Sequence, residues 1–238
     1  MALPKLNESI KYTTTIPSNG QEVKFRPYLV REEKILMMAL ESEDKKIALN
    51  AIADTINACV EEEINVHKLP VFDVEYLFAQ IRSKSVGETS SVNVKCSECG
   101  TANEVDIDLS KIKVNVPKKI KAIKLTEDMT LELKYPILEE VTDTMIKSEK
   151  AEVTQTQQIF DLIAVCLHSL KTKDEVIQFS DEPKSEVMAF IESFNNKQFE
   201  ELRTFVENIP QMKHDIKFKC QSCEHDNQIT LKGTNDFF

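Results

Sequence analysis

Two Cys-x-x-Cys pairs, 124 residues apart, constrain the fold of this chain more than any other feature. The first pair is Cys96 and Cys99, and the second is Cys220 and Cys223. Each pair lies between stretches in which apolar and polar residues alternate, the pattern of a β-strand. A tight turn between two strands places both thiols on one side of the chain, as in a zinc knuckle. Two such turns supply the four sulfur ligands of one tetrahedral structural zinc ion per chain. The sequence therefore predicts that its middle and its C-terminal part meet in space.

Other roles of these cysteines stay open at this point. A redox-active pair opens a helix, because the helix N-terminus lowers the thiol pKa, whereas the residues after each pair here alternate like strands. A disulfide needs an oxidising compartment, and we expect no secretory signal peptide. The thiols could also be inert. His225 lies two residues after Cys223 and could replace one cysteine, but four thiolates complete the site without it.

The framing of the two pairs extends into a longer internal repeat. An Ile-x-Asp-x-Ile-x-x-Cys pattern ends at Cys59 and again at Cys166. Each pattern follows a hairpin-like stretch and precedes one Cys-x-x-Cys pair. The repeated order of hairpin, helices and knuckle predicts two diverged copies, residues 1–116 and 117–238, packed as one compact unit. We expect the α+β class, a pseudo-twofold axis near the zinc, and an insertion in the second copy.

Apolar residues at helical spacing predict where the helices lie. Stripes over residues 49–60 and 159–170 place Cys59 and Cys166 among core residues, where a free cysteine packs as a small apolar side chain. Asp73 is the predicted N-cap of a further helix. Two more stripes, over residues 187–194 and 199–209, predict helices in the insertion.

Composition narrows the classes of function. The 238 residues include no apolar run approaching the roughly 20 residues of a membrane span. The net charge of −10 disfavours a nucleic-acid surface. No phosphate-binding loop, dinucleotide fingerprint, zinc-protease helix or nucleophile elbow occurs. We therefore expect no enzyme, no small-molecule substrate and no membrane insertion.

A family resemblance can now be stated. The stretches VKFRPYLVREEKILMMALES and KLPVFDVEYLFAQIRSKSVGE resemble the baseplate proteins of T4-type contractile-tail bacteriophages, a family that includes a baseplate hub component and a hub assembly factor. The similarity is clearest from Tyr12 to Gly87. It implies a non-enzymatic role in building the central hub, through contacts with other hub or tail proteins. The place implied is the host cytoplasm during assembly, with the virion tail baseplate as a further location.

The turn that leads into the first helix is the candidate interface. Arg26, Pro27, Tyr28 and Arg31 combine a rigid proline, an aromatic ring and cations, and Arg and Tyr are favoured interface anchors. The alternative is that this turn only fastens a hairpin to the next helix. Two rival functions also stay open. One is a zinc-ribbon nucleic-acid or transcription accessory factor, and the other is an enzyme with a site built from scattered residues.

Overall fold

The structure is a computed structural model that describes residues 10–42, 44–151 and 154–233; for residues 145–151 and 155 only the backbone is described. Helices and antiparallel strands occur in separate blocks of the sequence, so the predicted α+β class is confirmed. The described helices are Val30–Glu41 (α1), Lys45–Cys59 (α2), Val71–Ser85 (α3), Leu138–Ala151 (α4), Gln155–Cys166 (α5), Lys184–Glu192 (α6) and Asn196–Glu207 (α7).

The strands form several small sheets in which every described pair is antiparallel. One sheet is the hairpin of β1 and β2, another is the hairpin of β3 and β4, a third has the order β11-β10-β5, and a fourth has the order β6-β7-β8-β9. The strands are Tyr12–Thr15 (β1), Glu22–Phe25 (β2), Thr89–Lys95 (β3), Ala102–Asp108 (β4), Lys113–Val114 (β5), Ile123–Lys124 (β6), Thr130–Leu133 (β7), Leu167–Lys171 (β8), Val176–Gln178 (β9), Met212–Lys219 (β10) and Asp226–Lys232 (β11).

The chain divides into two compact units. Unit 1 contains Met1–Val116 and Pro210–Phe238, and unit 2 contains Pro117–Ile209. Both Cys-x-x-Cys hairpins therefore belong to unit 1, although a whole unit separates them in sequence. The division of the sequence into related halves, 1–116 and 117–238, packed as one unit, stays a prediction.

The core of unit 1 joins the two Cys-x-x-Cys hairpins to α3. Apolar side chains alternate along β3, β4, β10 and β11, and the inward set is buried together with Ala79 of α3 and with the segment between β4 and β5. The buried residues of this cluster are Ala79, Val92, Val94, Ile107, Leu109, Ile112, Met212, Ile216 and Leu231. Because residues 210–231 supply three of these side chains, the C-terminal hairpin is part of this core.

Unit 2 has a separate apolar core between its sheet and its helices. The cluster includes strand residues of β6, β7 and β8 and helix residues of α5, α6 and α7: Ile123, Leu131, Leu133, Ile163, Leu167, Val187, Ile191 and Leu202. Both helices expected in the insertion are present as α6 and α7. Cys59 and Cys166 are buried, as their apolar stripes predicted.

One backbone connection occurs in the same form in each unit. In unit 1 the N–H of Arg26 donates to the carbonyl oxygen of Cys59 (3.0 Å) at the end of α2, and Phe25 pairs with Val60 in an antiparallel bridge. In unit 2 the N–H of Lys134 donates to the carbonyl oxygen of Cys166 (2.8 Å) at the end of α5. There β7 pairs with β8 through the matching partners Leu133 and Leu167.

A buried ion pair accompanies this connection. The guanidinium of Arg26 lies 2.9 Å from one carboxylate oxygen of Glu32, and the other oxygen accepts a hydrogen bond from the N–H of Leu29 (2.7 Å) at the start of α1. Lys134 and Glu140 form a more exposed pair at the same spacing, with Glu140 in the first turn of α4. Burial raises the pKa of Glu32, but the hydrogen bonds from Arg26, Arg31 and Leu29 outweigh it and lower the pKa to about 2.

The start of α3 differs from the prediction. Asp73 was expected to cap this helix, but Pro70 is its N-cap residue and Asp73 lies in the first turn. The helix begins earlier because the fixed φ of proline suits a helix start, where no N–H is needed. Helix α6 begins in the same way, with Pro183 at its N-cap.

Candidate metal centre

Two hairpin ends with the same backbone geometry present the four cysteines. In the first, the N–H of Cys96 donates to the carbonyl oxygen of Thr101 (2.9 Å), and the N–H of Gly100 donates to that of Cys96 (3.0 Å). In the second, the N–H of Cys220 donates to the carbonyl oxygen of His225 (2.9 Å), and the N–H of Glu224 donates to the carbonyl oxygen of Cys220 (3.0 Å). The sequence therefore forms the same tight turn twice, as the alternating flanks predicted.

Both turns contain one residue in the left-handed region. Gly100 has a φ of 72° in the first turn, and Glu224 has a φ of 58° in the second. Glu224 is the one described non-glycine residue with positive φ. A side chain at such a φ crowds its own backbone. The backbone of the second turn is therefore locally strained at Glu224, whereas glycine avoids this strain in the first turn.

The four thiols converge on one point. The Sγ atoms of Cys96 and Cys223 are 3.7 Å apart, and those of Cys99 and Cys220 are 3.6 Å apart. All four Sγ atoms lie within 4.8 Å of one another. Four sulfurs around a zinc ion at about 2.3 Å are about 3.8 Å apart at the corners of a tetrahedron. The spacing therefore fits a single tetrahedral metal ion.

Two buried asparagines support the thiols reciprocally across the two hairpins. The side chain of Asn227 in β11 accepts a hydrogen bond from the N–H of Ser97 (2.9 Å), and its amide nitrogen lies 3.5 Å from the Sγ of Cys96. The side chain of Asn103 in β4 accepts from the N–H of Gln221 (2.9 Å), and its amide nitrogen lies 3.7 Å from the Sγ of Cys220. Each hairpin thus holds the other's turn.

These asparagines were missed from sequence, although a signal exists. Asn103 follows Cys99 by four residues, and Asn227 follows Cys223 by four. Both side chains are buried, at 2% and 4% exposure, so each amide needs internal partners. Aligning the two Cys-x-x-Cys segments with each other would have found both.

Hydrogen bonds favour the thiolate form of two of the four cysteines. The backbone N–H of Cys99 contributes most to lowering the pKa of Cys96, to about 6, and the backbone N–H of Cys223 does the same for Cys220, whose pKa is also lowered. For Cys223, the backbone N–H of His225 lowers the pKa. The neighbouring thiols raise it by more, so the pKa of Cys223 is raised to about 12. Four negative charges at this spacing repel, so a cation is needed before all the thiols ionise.

The geometry does not favour the redox and disulfide alternatives. The closest Sγ–Sγ distances, 3.6 and 3.7 Å, exceed the roughly 2.05 Å of a disulfide bond. Each turn connects two strands, β3 to β4 and β10 to β11, so neither pair opens a helix as a redox-active pair does. His225 is exposed, its backbone oxygen accepts the hydrogen bond from Cys220, and among the described residues the group of possible ligands contains only the four cysteines.

The predicted interface residues lie around the start of α1. The side chain of Arg26 is only 17% exposed and donates to the backbone oxygens of Pro27 and Ala58, each at 2.9 Å. Tyr28 is half-buried, and its N–H donates to the hydroxyl of Ser85 (2.9 Å). The side chain of Arg31 is 70% exposed and lies beside Glu32. A role of these residues in an interface stays a prediction.

Comparison with known proteins gives one match. No curated protein and no solved structure matches the chain. In the part of the chain that the structure describes, no helix is both long and apolar enough to cross a lipid bilayer. A family model described as T4 bacteriophage base plate protein matches residues 9–238, far beyond the Tyr12–Gly87 stretch where the resemblance is clearest. The chain therefore belongs to the T4 bacteriophage base plate protein family.

Proposed function

We propose that this chain is a non-enzymatic baseplate hub protein or hub assembly chaperone that acts through protein–protein contacts and is held together by one structural zinc ion. Family membership supports the baseplate role. The convergence of four thiols from two distant segments supports the zinc. A protein of this kind presents a fixed surface to its partners, and a metal that joins residues 96–99 to residues 220–223 fixes that surface.

The donor set selects the metal and its role. Four soft thiolates in a tetrahedral arrangement suit Zn²⁺ or an iron–sulfur cluster, and sulfur separations of 3.6–3.7 Å suit a single ion bound at the centre. Such a site has no open coordination position for a substrate or a water molecule. The ion would therefore stabilise the fold, on the order of 10 kcal/mol in comparable zinc-binding domains, and would take no part in chemistry.

Zinc content tests this assignment directly. The protein expressed in the cytosol and purified without chelators should contain one equivalent of zinc by elemental analysis. Cys99→Ser should lose most of it, because three thiolates and a hydroxyl bind zinc more weakly. Cys59→Ala is the matched control, since Cys59 is buried outside the cluster and should leave the zinc content at one equivalent. Less than half an equivalent in the unmodified protein would refute a structural zinc.

The two sequence halves are proposed to be diverged copies of one element. Support comes from the Arg26–Cys59 and Lys134–Cys166 connections, from the matching ion pairs, and from the proline-started helices α3 and α6. The reciprocal asparagine contacts at the two turns extend this likeness to the knuckles. In this interpretation the second copy's knuckle completes the zinc site of the first, and the insertion lies in the region of α6 and α7.

The baseplate role is tested by partner binding in infected cells. We expect the tagged chain to co-purify with hub subunits, and its removal to block tail formation. Arg31→Glu is the informative interface variant, because Arg31 is exposed, whereas Arg26 holds Glu32 inside the fold. Mass spectrometry of finished particles separates the two forms of the proposal: a hub protein is retained, and a chaperone is released into the host cytoplasm.

One observation favours a second candidate function, nucleic-acid binding by a zinc-ribbon protein. Lys113, Lys213 and Lys232 are opposite one another on adjacent strands of the β11-β10-β5 sheet, and all three are exposed. Like charges directly opposite one another, such as Lys113 and Lys213, destabilise a sheet, and the phosphates of a nucleic acid would offset them. Lys217 and Lys219 lie along the same exposed side of β10.

A titration with labelled DNA distinguishes the two functions. Because the net charge is −10, we expect the dissociation constant for DNA in physiological salt to be above about 1 µM. If the chain binds DNA more tightly than that, and Lys213→Gln with Lys232→Gln weakens it, the nucleic-acid function replaces the baseplate contact proposal. Lys197→Gln in unit 2 is the control for the loss of one exposed positive charge.

A further inference from the structure

Helix α1 exposes an unusual amount of apolar surface. Its inward side consists of Glu32, Leu36 and Ala39, which are buried. Five further apolar residues of the same helix are more than half exposed: Val30 at 79%, Ile35 at 53%, Met37 at 57%, Met38 at 60% and Leu40 at 68%. Exposed apolar side chains grouped on one element mark an interaction surface. The packing described for unit 1 leaves this apolar surface of α1 uncovered.

The corresponding helix of unit 2 shows that the fold does not require this surface. The shared ion pair aligns Glu32 of α1 with Glu140 of α4. By that alignment Val30 matches Leu138, which is 1% exposed, and Ile35 matches Asp143, which is an exposed polar residue. Leu40 matches Ser148. At the positions of Val30 and Ile35, where α1 exposes apolar side chains, α4 has a buried leucine and an exposed aspartate.

One exposed face of α1 has the pattern of a helix-pairing seam. At about 100° per residue, Val30, Met37 and Leu40 fall within one arc away from the buried side, and the partly exposed Glu33 lies in the same arc. Lys34 and Glu41 lie together along one edge of that arc, and both are exposed. Two apolar positions one heptad apart, flanked by charges, are typical of a helix that pairs with another helix.

The charges on that edge are complementary to themselves. In an antiparallel pair related by a twofold axis, the same edge of each helix meets its own copy in the opposite direction. With the axis between Met37 and Met38, Lys34 of one helix lies beside Glu41 of the other, and the reverse pair forms at the other end. Both ion pairs thus connect opposite charges, and Met37 and Leu40 of each helix lie between them, whereas Val30 lies beyond the end of the other helix.

We propose that two copies of this chain associate through α1, as an antiparallel, twofold-symmetric helix pair with reciprocal Lys34–Glu41 contacts. A single pair of 12-residue helices is smaller than a standard interface of about 1,600 Å². The dimer is therefore weak and concentration-dependent, with a dissociation constant on the order of micromolar or above. The proposal depends on neither the zinc nor the baseplate partners.

Charge exchange gives a sharp test by sedimentation equilibrium from about 5 to 300 µM. Lys34→Glu faces Glu41 with a like charge, and Glu41→Lys faces Lys34 with a like charge, so each variant should dimerise at least about tenfold more weakly. The double variant restores both opposite-charge pairs and should recover dimerisation. A mixture of the two single variants should form a heterodimer, because each supplies the charges that the other lacks. Leu40→Gln should weaken dimerisation at every ionic strength, whereas the charge effects should fall in high salt.

Controls keep each outcome decisive. Circular dichroism and zinc content should match the unmodified protein in all variants, and Lys197→Glu on α7 should change the net charge without changing dimerisation. A chain that stays monomeric over the whole concentration range overturns the proposal. So does a dimer that Lys34→Glu and Leu40→Gln leave unchanged. A double variant that stays monomeric while the single variants lose dimerisation also overturns it, since self-pairing requires recovery.

Discussion

Asp73 is a carboxyl group in an unfavourable position. It is fully buried in the first turn of α3, where one oxygen accepts a hydrogen bond from the N–H of Ser18 (3.0 Å) in the β1–β2 turn. The other oxygen has no hydrogen-bond partner among the described residues. Burial raises the pKa of Asp73 to about 6, although the Ser18 hydrogen bonds lower it in part. The charged form therefore costs stability at neutral pH.

The sign of the pH dependence follows from this raised pKa. A carboxyl group that binds its proton more tightly in the folded state stabilises the fold below its unfolded pKa, about 3.9, and that stability is lost as the pH rises through 6. Asp73→Asn should remove this part of the pH dependence, about 1–3 kcal/mol between pH 4 and pH 7. Urea unfolding at several pH values measures it. Asp54→Asn, at an exposed position of α2, should leave the slope unchanged.

Glu224 should be replaceable by glycine with a gain in stability. Its φ of 58° is unfavourable for a residue with a side chain, and Gly100 occupies the same place in the other turn. Glu224→Gly should raise the free energy of unfolding by about 0.5–1 kcal/mol without changing the metal content. The exposed Lys219–Glu224 pair that it removes contributes little. Gly100→Glu is the mirror experiment and should lower stability by a similar amount.

At the scale of residues, sequence identified the groups that define the site and missed those that position them. Spacing alone placed Cys96, Cys99, Cys220 and Cys223 in one cluster, because a tight turn leaves few positions for two thiols. It gave no role to Asn103, because an asparagine in an alternating stretch resembles an ordinary strand residue. Its contacts with the turn of Cys220 and Cys223 can be seen only in the structure.

At the scale of elements, the two knuckle hairpins should depend on each other through Asn103 and Asn227. Asn227→Ala removes a hydrogen bond to the Cys96 sulfur and leaves the Ser97 N–H without its acceptor. Loss of such an outer contact typically costs 10–100-fold in metal affinity. Competition with a chromogenic chelator measures that loss for Asn227→Ala and Asn103→Ala. Asn93→Ala, exposed on β3, is the control and should bind the metal like the unmodified protein.

Elements with strong periodicity were predictable, and short strands were not. Helices α2, α6 and α7 follow apolar stripes that have one period over several turns. The stripe predicted over residues 159–170 was only partly right, because α5 ends at Cys166 and Leu167 and Leu170 lie in β8. Strands β5 and β6 have two residues each, too few for any alternation to be recognised. The pairing of β5 with β10 joins residues about a hundred positions apart, and a local pattern contains no information about such a partner.

At the scale of the whole molecule, the metal site should stabilise one unit and leave the other unaffected. All four thiols, together with the hairpins that present them, belong to unit 1, whereas unit 2 has its own apolar core. In the proposed site the metal ion bonds to thiols of both turns, so its removal would break that link between the hairpins. The apolar contacts among β3, β4, β10 and β11 and the asparagine hydrogen bonds between the turns would remain.

Hydrogen exchange after chelation tests this expectation. Removing the metal with a strong chelator under reducing conditions should lower amide protection in residues 89–108 and 212–232 by at least about tenfold. Residues 123–133 and 167–178 of unit 2 should keep their protection, because their sheet contains no metal-linked residue. Cys99→Ser should show the lower protection before chelation and little further change after it. Equal loss in both units would show that the site stabilises the molecule as a whole, and no loss in either would show that the apolar core of unit 1 holds both hairpins without the metal.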